Sequence, residues 1–102
     1  MEPNDREMIE SPIYQGADEY ITRTVTTTPW GSAPTAVSVV MKDSGGTDVS
    51  GTTLTGVPAG AGDEITLPAL HSLTAGMEYR LEVKFTSGGN IYECWARVVG
   101  QV

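Results

Sequence analysis

Between Met77 and Thr86 apolar and charged side chains alternate without a break: Tyr79, Leu81, Val83 and Phe85 against Glu78, Arg80, Glu82 and Lys84. Successive side chains of a strand point to opposite faces, so this spacing gives one face to a core and the other to water. The run Thr86-Ser-Gly-Gly-Asn90 then turns the chain, and Ile91 to Val99 returns. The two runs predict an antiparallel hairpin with its tip near Ser87–Gly89.

The rest of the chain reads as further strands divided by turns. Pro12 to Gln15 is a short one, and Glu19 to Thr28 a better one, with Ile21 and Val25 on one face and Tyr20 on the other. Pro29 ends it, and Trp30-Gly-Ser-Ala-Pro34 is a loop. Thr35 to Asp43 alternates, with Val37, Val39 and Met41 inward and Ser38 and Lys42 outward. Asp43 to Asp48 is a turn, Asp48 to Thr53 a weaker strand, Gly56 to Gly62 a flexible connection, and Asp63 to Leu67 a short strand that packs Ile65 and Leu67. Threonines crowd Thr22 to Thr28, and branching at Cβ suits a pleated surface. Seven strands with no crossover helix predict an all-β, antiparallel sandwich. The chain has the length of one domain: residues 12–102 are expected to form it, behind an acidic, flexible arm over 1–11.

Leu73-Thr-Ala-Gly-Met-Glu-Tyr79-Arg-Leu-Glu-Val83 is similar to the leucine–x–proline–glycine–x–x–tyrosine run that opens strand F of fibronectin type III domains. The resemblance implies a seven-stranded immunoglobulin-like sandwich in which Tyr79 forms the tyrosine corner, Leu73 plugs the core and Gly76 makes the turn. Ala75 stands where that family has proline, and the family's strand-B tryptophan has no counterpart, since Trp30 follows a proline in a loop. From Glu19 to Val99 the order of residue classes also resembles the small immunoglobulin-like proteins of tailed-phage and prophage structural gene clusters: a strand, a Pro-Trp loop, a strand ending in a Gly-Gly turn, a long Gly-rich loop, then a Gly-x-x-Tyr-x-Leu-x-Val hairpin. Those proteins resemble head-completion, decoration or fibre–tail adaptor components, which implies a place in a virion. A likeness of fold says nothing of function by itself.

Charge narrows the partners. The net charge of −7 argues against nucleic acid, which needs a basic stripe. Residues 1–20 hold six acids against Arg6 alone, which is −5 of that total. No apolar run reaches the length of a membrane span, and the start lacks the basic and apolar regions of a signal peptide. Cys94 is the single cysteine, so an intrachain disulfide is impossible, and synthesis in the cytoplasm is expected.

Four features imitate chemistry. Asp43-Ser44-Gly45-Gly46 looks like a serine nucleophile motif, but the one histidine, His71, follows it in the chain, and the turn reading prevails. Asp43 and Asp48 with Ser44 and Thr47 are thin support for Ca²⁺, which takes about 6–8 oxygen ligands. One cysteine and one histidine are poorer still for zinc. His71 reads as a loop-bonding residue and Cys94 as a small buried hydrophobe. The expectation is a non-enzyme with no metal and no cofactor.

If Tyr92, Cys94, Ala96 and Val98 face the core, then Ile91, Glu93, Trp95, Arg97 and Val99 face out. An outward Ile91–Trp95–Val99 row is either a contact surface or the other register's core, and for Trp95 the alternative is packing beneath the N-terminal arm or a loop; Trp30 carries the same ambiguity. With no lysine or proline, this last strand also reads as an unprotected sheet edge. The functional expectation is a structural or adaptor protein that self-associates or docks on a protein partner. The alternative is a protein- or glycan-binding module with Trp30 and Trp95 as stacking platforms.

Overall fold

In a computed structural model that describes residues 6–102, the alternating segments become a chain that is mostly strand. In order these are β1 (Ile13–Gly16), β2 (Thr24–Thr26), β3 (Thr35–Asp43), the helical turn α1 (Ser50–Thr53), β4 (Leu54–Thr55), β5 (Ala59–Ala61), β6 (Glu64–Thr66), β7 (Ala69–Leu70), β8 (Glu78–Ser87) and β9 (Asn90–Gln101).

The hairpin forms where the alternation and the glycines put it. Gly88 and Gly89 are the two loop residues, with φ of 57° and 82°, the left-handed pair that a tight hairpin turn demands. That loop length fixes the register, so Tyr79 lies opposite Val98, Glu82 opposite Trp95 and Lys84 opposite Glu93. Tyr79, Leu81, Val83 and Phe85 are buried, while Glu78, Arg80 and Lys84 are exposed and Glu82 half-buried. On β9, Cys94, Ala96 and Val98 are buried and Tyr92 packs partly against the core.

β3 joins the other edge of β8 in antiparallel register, and β1 joins β9 in parallel, giving the order β1-β9-β8-β3. Opposite this sheet stand a three-stranded sheet, β2-β6-β5, and the pair β4-β7. The core is filled from both sides, by Met41, Leu81, Val83, Phe85, Ala96 and Val98 from the large sheet and by Val25, Ile65, Leu67 and Leu70 from the others. Val37 and Val39 reach that core only in part.

Several expectations need correction. Asp48 to Thr53 is not a strand. The Asp48 carboxylate accepts from both the N–H (2.9 Å) and the hydroxyl (2.7 Å) of Ser50, while Thr53 N–H and Oγ1 both donate to the Val49 carbonyl. These local bonds curl the backbone into α1 in spite of its β-branched residues. The Gly-rich connection from Gly56 to Gly62 contains β5, paired to β6. The large sheet is not wholly antiparallel, because β1 runs alongside β9 in parallel.

Residues 6–11 of the expected arm lie against the edge of the last strand that was expected to be open. Residues 1–5 lie outside the described part, but from Arg6 onward the segment is built into the fold. Met8 N–H donates to the Trp95 carbonyl and Trp95 N–H to the Arg6 carbonyl, each at 2.8 Å. Met8 is 2% exposed within the core. The Glu10 carboxylate accepts from the N–H and hydroxyl of Thr26, and the Ser11 hydroxyl accepts from Arg97 N–H at 3.0 Å. Residues 6–11 and β1 therefore cover the edge of β9, satisfying main-chain groups that would otherwise invite pairing.

Candidate functional site

Tyr79, Leu73 and Gly76 meet at the start of β8. The Thr74 N–H donates to the Tyr79 hydroxyl at 2.8 Å, and Tyr79 and Leu73 are each 4% exposed. Gly76 adopts φ of 84°, and its N–H donates to the Gly100 carbonyl. Gly100 itself has no room for a side chain, since a Cβ would strike the Thr74 carbonyl. This corner is a packing device, with its polar atoms turned to main chain.

The outer face of the four-stranded sheet differs in kind. Across it run cross-strand rows fixed by register: Tyr14–Val99–Glu78, Arg97–Arg80–Lys42, Trp95–Glu82–Val40 and Glu93–Lys84–Ser38. Arg80, diagonal to Trp95, lays its guanidinium over the indole at 4.4 Å from the ring centre. Such stacking is worth about 0.5–1 kcal/mol at an exposed site. The same guanidinium lies 3.3 Å from the Glu82 carboxylate, which also meets Lys42 at 3.5 Å. Arg97 grips Glu78 with two bonds, of 3.0 and 3.2 Å. Those hydrogen bonds, and then the carboxylate's charge, push the Arg97 guanidinium above its usual range. All these pairs are solvent-exposed, so each adds little to stability. Their effect is to hold the side chains of this face in a fixed array.

Two shallow depressions, of about 410 and about 680 Å³, flank the Arg80–Trp95 pair. The first is bordered by Arg6, Lys84 and Val40, the second by Lys42, Ser44 and Arg97.

Of the candidate interface residues, the structure brings Ile91, Trp95 and Val99 to this one face. Ile91 is 70% exposed, and Trp95 and Val99 are half-buried. Trp30 does not join them; it is half-buried against the core, with its N–H on the Thr27 carbonyl. Sequence reasoning missed Arg80 as the partner of Trp95, and Tyr14, 55% exposed, which lies beside Val99. The two-glycine turn held the signal for Arg80, because its length sets the hairpin register. No local signal marked Tyr14.

The features that imitate chemistry resolve into local structure. The Asp43 carboxylate accepts from Gly45 and Thr47 N–H groups, capping the turn that holds Ser44. His71 bonds Thr55 and Ser72 through its two ring nitrogens and stacks on Tyr20 at 4.9 Å, with no bond to Ser44. Asp48 is held below the usual carboxylate range by the Ser50 hydroxyl and N–H. Among the described residues no three His, Cys, Asp or Glu side chains gather where a metal ion could bind. Burial, with a smaller push from Glu10, raises the Cys94 thiol to about 12. No helix among the described residues is long and apolar enough to cross a membrane.

Comparisons with family models, with curated proteins and with solved structures yield no match for this chain.

Proposed function

We propose that this chain is an immunoglobulin-like sandwich of the fibronectin type III kind that acts as a non-catalytic structural or adaptor domain, docking into a larger assembly through the outer face of β1-β9-β8-β3. The fold reading is supported by the hairpin β8-β9 flanked by β3, by the opposing β2-β6-β5 sheet and by the Tyr79 hydroxyl bonded at Thr74. That the assembly is a tailed-phage or prophage particle rests on the order of residue classes from Glu19 to Val99 alone.

The docking face rests on one observation above the others: Trp95 stands outward on a central strand, half-exposed, with Arg80 stacked on it. Tryptophan and arginine are the side chains that most often anchor protein interfaces, particularly when central and ringed by polar groups. A sugar ring stacking on Trp95 would compete with Arg80 for the indole, and Trp30 is committed to the core; both weigh against the glycan alternative.

The test is light scattering across a concentration series and co-purification with structural partners, for wild type and Trp95→Ala, beside a glycan screen. The variant is expected to stay folded and to lose about 2 kcal/mol or more of association. A monomer that captures no protein partner and binds sugars through Trp95 or Trp30 would replace this reading with the glycan-binding one.

A further inference from the structure

The cations of this chain are not spread over its surface. Of its six lysines and arginines, Arg6, Lys42, Arg80, Lys84 and Arg97 all lie on the outer face of the large sheet or border its depressions; only Arg23 lies elsewhere. The 410 Å³ depression is lined by Arg6, Arg80 and Lys84 against Glu82 and Glu93, a local charge of +1. Against the five cations as a whole stand five carboxylates, Glu7, Asp43, Glu78, Glu82 and Glu93, so the face is neutral and the remainder of the chain carries the whole −7. Its acidic side includes the exposed tip of the β5–β6 hairpin, where Asp63 and Glu64 are adjacent and flanked by the exposed, small Ala59, Gly60 and Ala61. Neither carboxylate is in an ion pair among the described residues, and the one side-chain bond there is from the Thr28 hydroxyl to Asp63 at 3.1 Å.

We propose that the 410 Å³ depression beside Trp95 receives the Asp63–Glu64 hairpin tip of a second copy of this chain, with its carboxylates set between Lys84 and Arg6. This deepens the docking reading above, on which it rests, by naming the occupant. Lys84 has no ion-pair partner among the described residues, although Glu93 lies opposite it, so its charge is available to an incoming carboxylate. The tip is exposed with the small Ala59, Gly60 and Ala61 beside it, and Val40 and Trp95 give those side chains an apolar floor. Tip and depression are different parts of one chain, so a single such contact leaves one of each free: two copies that exchange both contacts close a two-fold dimer, and otherwise the contact repeats into a ring or filament.

Sedimentation velocity over a concentration series, at about 20 mM and about 300 mM salt, tests this, because exposed charge pairs weaken as the Debye length shrinks. Wild type is expected to associate at low salt and to dissociate at high salt. Lys84→Glu and Glu64→Lys should each weaken association about tenfold or more, and the double charge swap in one chain should restore it to within a few-fold. Both side chains are exposed, and circular dichroism of each variant checks that it folds. A wild type that is monomeric at low salt, or whose association ignores both charge reversals, overturns the proposal. If Trp95→Ala abolishes association while the charge reversals do not, the docking face stands and the occupant named here is wrong.

Discussion

The side-chain amide of Gln15 donates to the carbonyl of Leu70 at 2.7 Å, tying the first strand of the large sheet to β7 on the other side of the core. Gln15 is 1% exposed, and its remaining groups are also used: the amide reaches the Glu19 carbonyl and the oxygen accepts from Arg23 Nε. Gln15→Ala is expected to lower stability in urea unfolding by about 1–3 kcal/mol, since it strands buried polar groups as well as removing bonds. A loss under about 0.5 kcal/mol would mean that water replaces the amide without penalty.

Tyr79 separates the value of a hydroxyl from that of a ring. Tyr79→Phe removes only the bond from Thr74 N–H and should cost about 0.5–1.5 kcal/mol. Tyr79→Ala also empties a buried site and should cost about 3–5 kcal/mol. Equal losses for the two in denaturant titrations would show that the ring contributes nothing to packing.

Residues 6–11 are bonded to β9 and β2, with Met8 in the core, so their removal has a thermal signature. Met8→Ala should cost about 2–5 kcal/mol through the cavity it leaves. Deleting residues 1–11 should lower the melting temperature further, because it also releases the Glu10–Thr26 bonds and uncovers the edge of β9. Differential scanning calorimetry of the truncated chain decides this; an unchanged midpoint would restore the flexible-arm reading.

Cys94 gives the chain an alkaline limit. Its thiol ionises near 9 when unfolded and only at about 12 when folded. The unfolded chain sheds this proton first, so the contribution is intact below pH 9 and declines as pH rises toward 12. Unfolding free energy should fall by up to about 1.4 kcal/mol per pH unit in that window, and Cys94→Ala should remove this part of the slope. Thiol reagents at pH 8 should meanwhile label native protein far more slowly than denatured protein; identical labelling rates would contradict the burial.

Much of the large sheet was legible because its signals are local. The alternation from Tyr79 to Phe85 gives the faces of β8, Gly88-Gly89 gives the turn, and the turn gives the pairing of Glu82 with Trp95. β3 is found at the residues its alternation marks. What escaped has no local signature. Met8 is one apolar side chain in an acidic stretch, and only the distant main chain of Trp95 makes it core. The parallel pairing of Ile13 with Val98 follows from how the sheet closes, and no nearby residue announces it. Ser50 to Thr53 has the composition of a strand, but Asp48 supplies bonds that make a helical turn. Period two left Trp95 either outward or in the other register's core, and the gathering of five cations around it needed three strands and the Arg6 segment to be placed side by side.

The parallel alignment of β1 with β9 also sets how the fold responds to tension. The rungs Ile13–Val98 to Gly16–Gln101 bind the entering strand to the leaving one. A pull applied before β1 and beyond β9 draws the two in opposite senses along their common axis. All the rungs are then loaded together in shear, whereas an antiparallel pair held at one end peels apart one rung at a time. A chain built this way resists stretching through its main chain, and holds until the whole clamp of rungs fails at once.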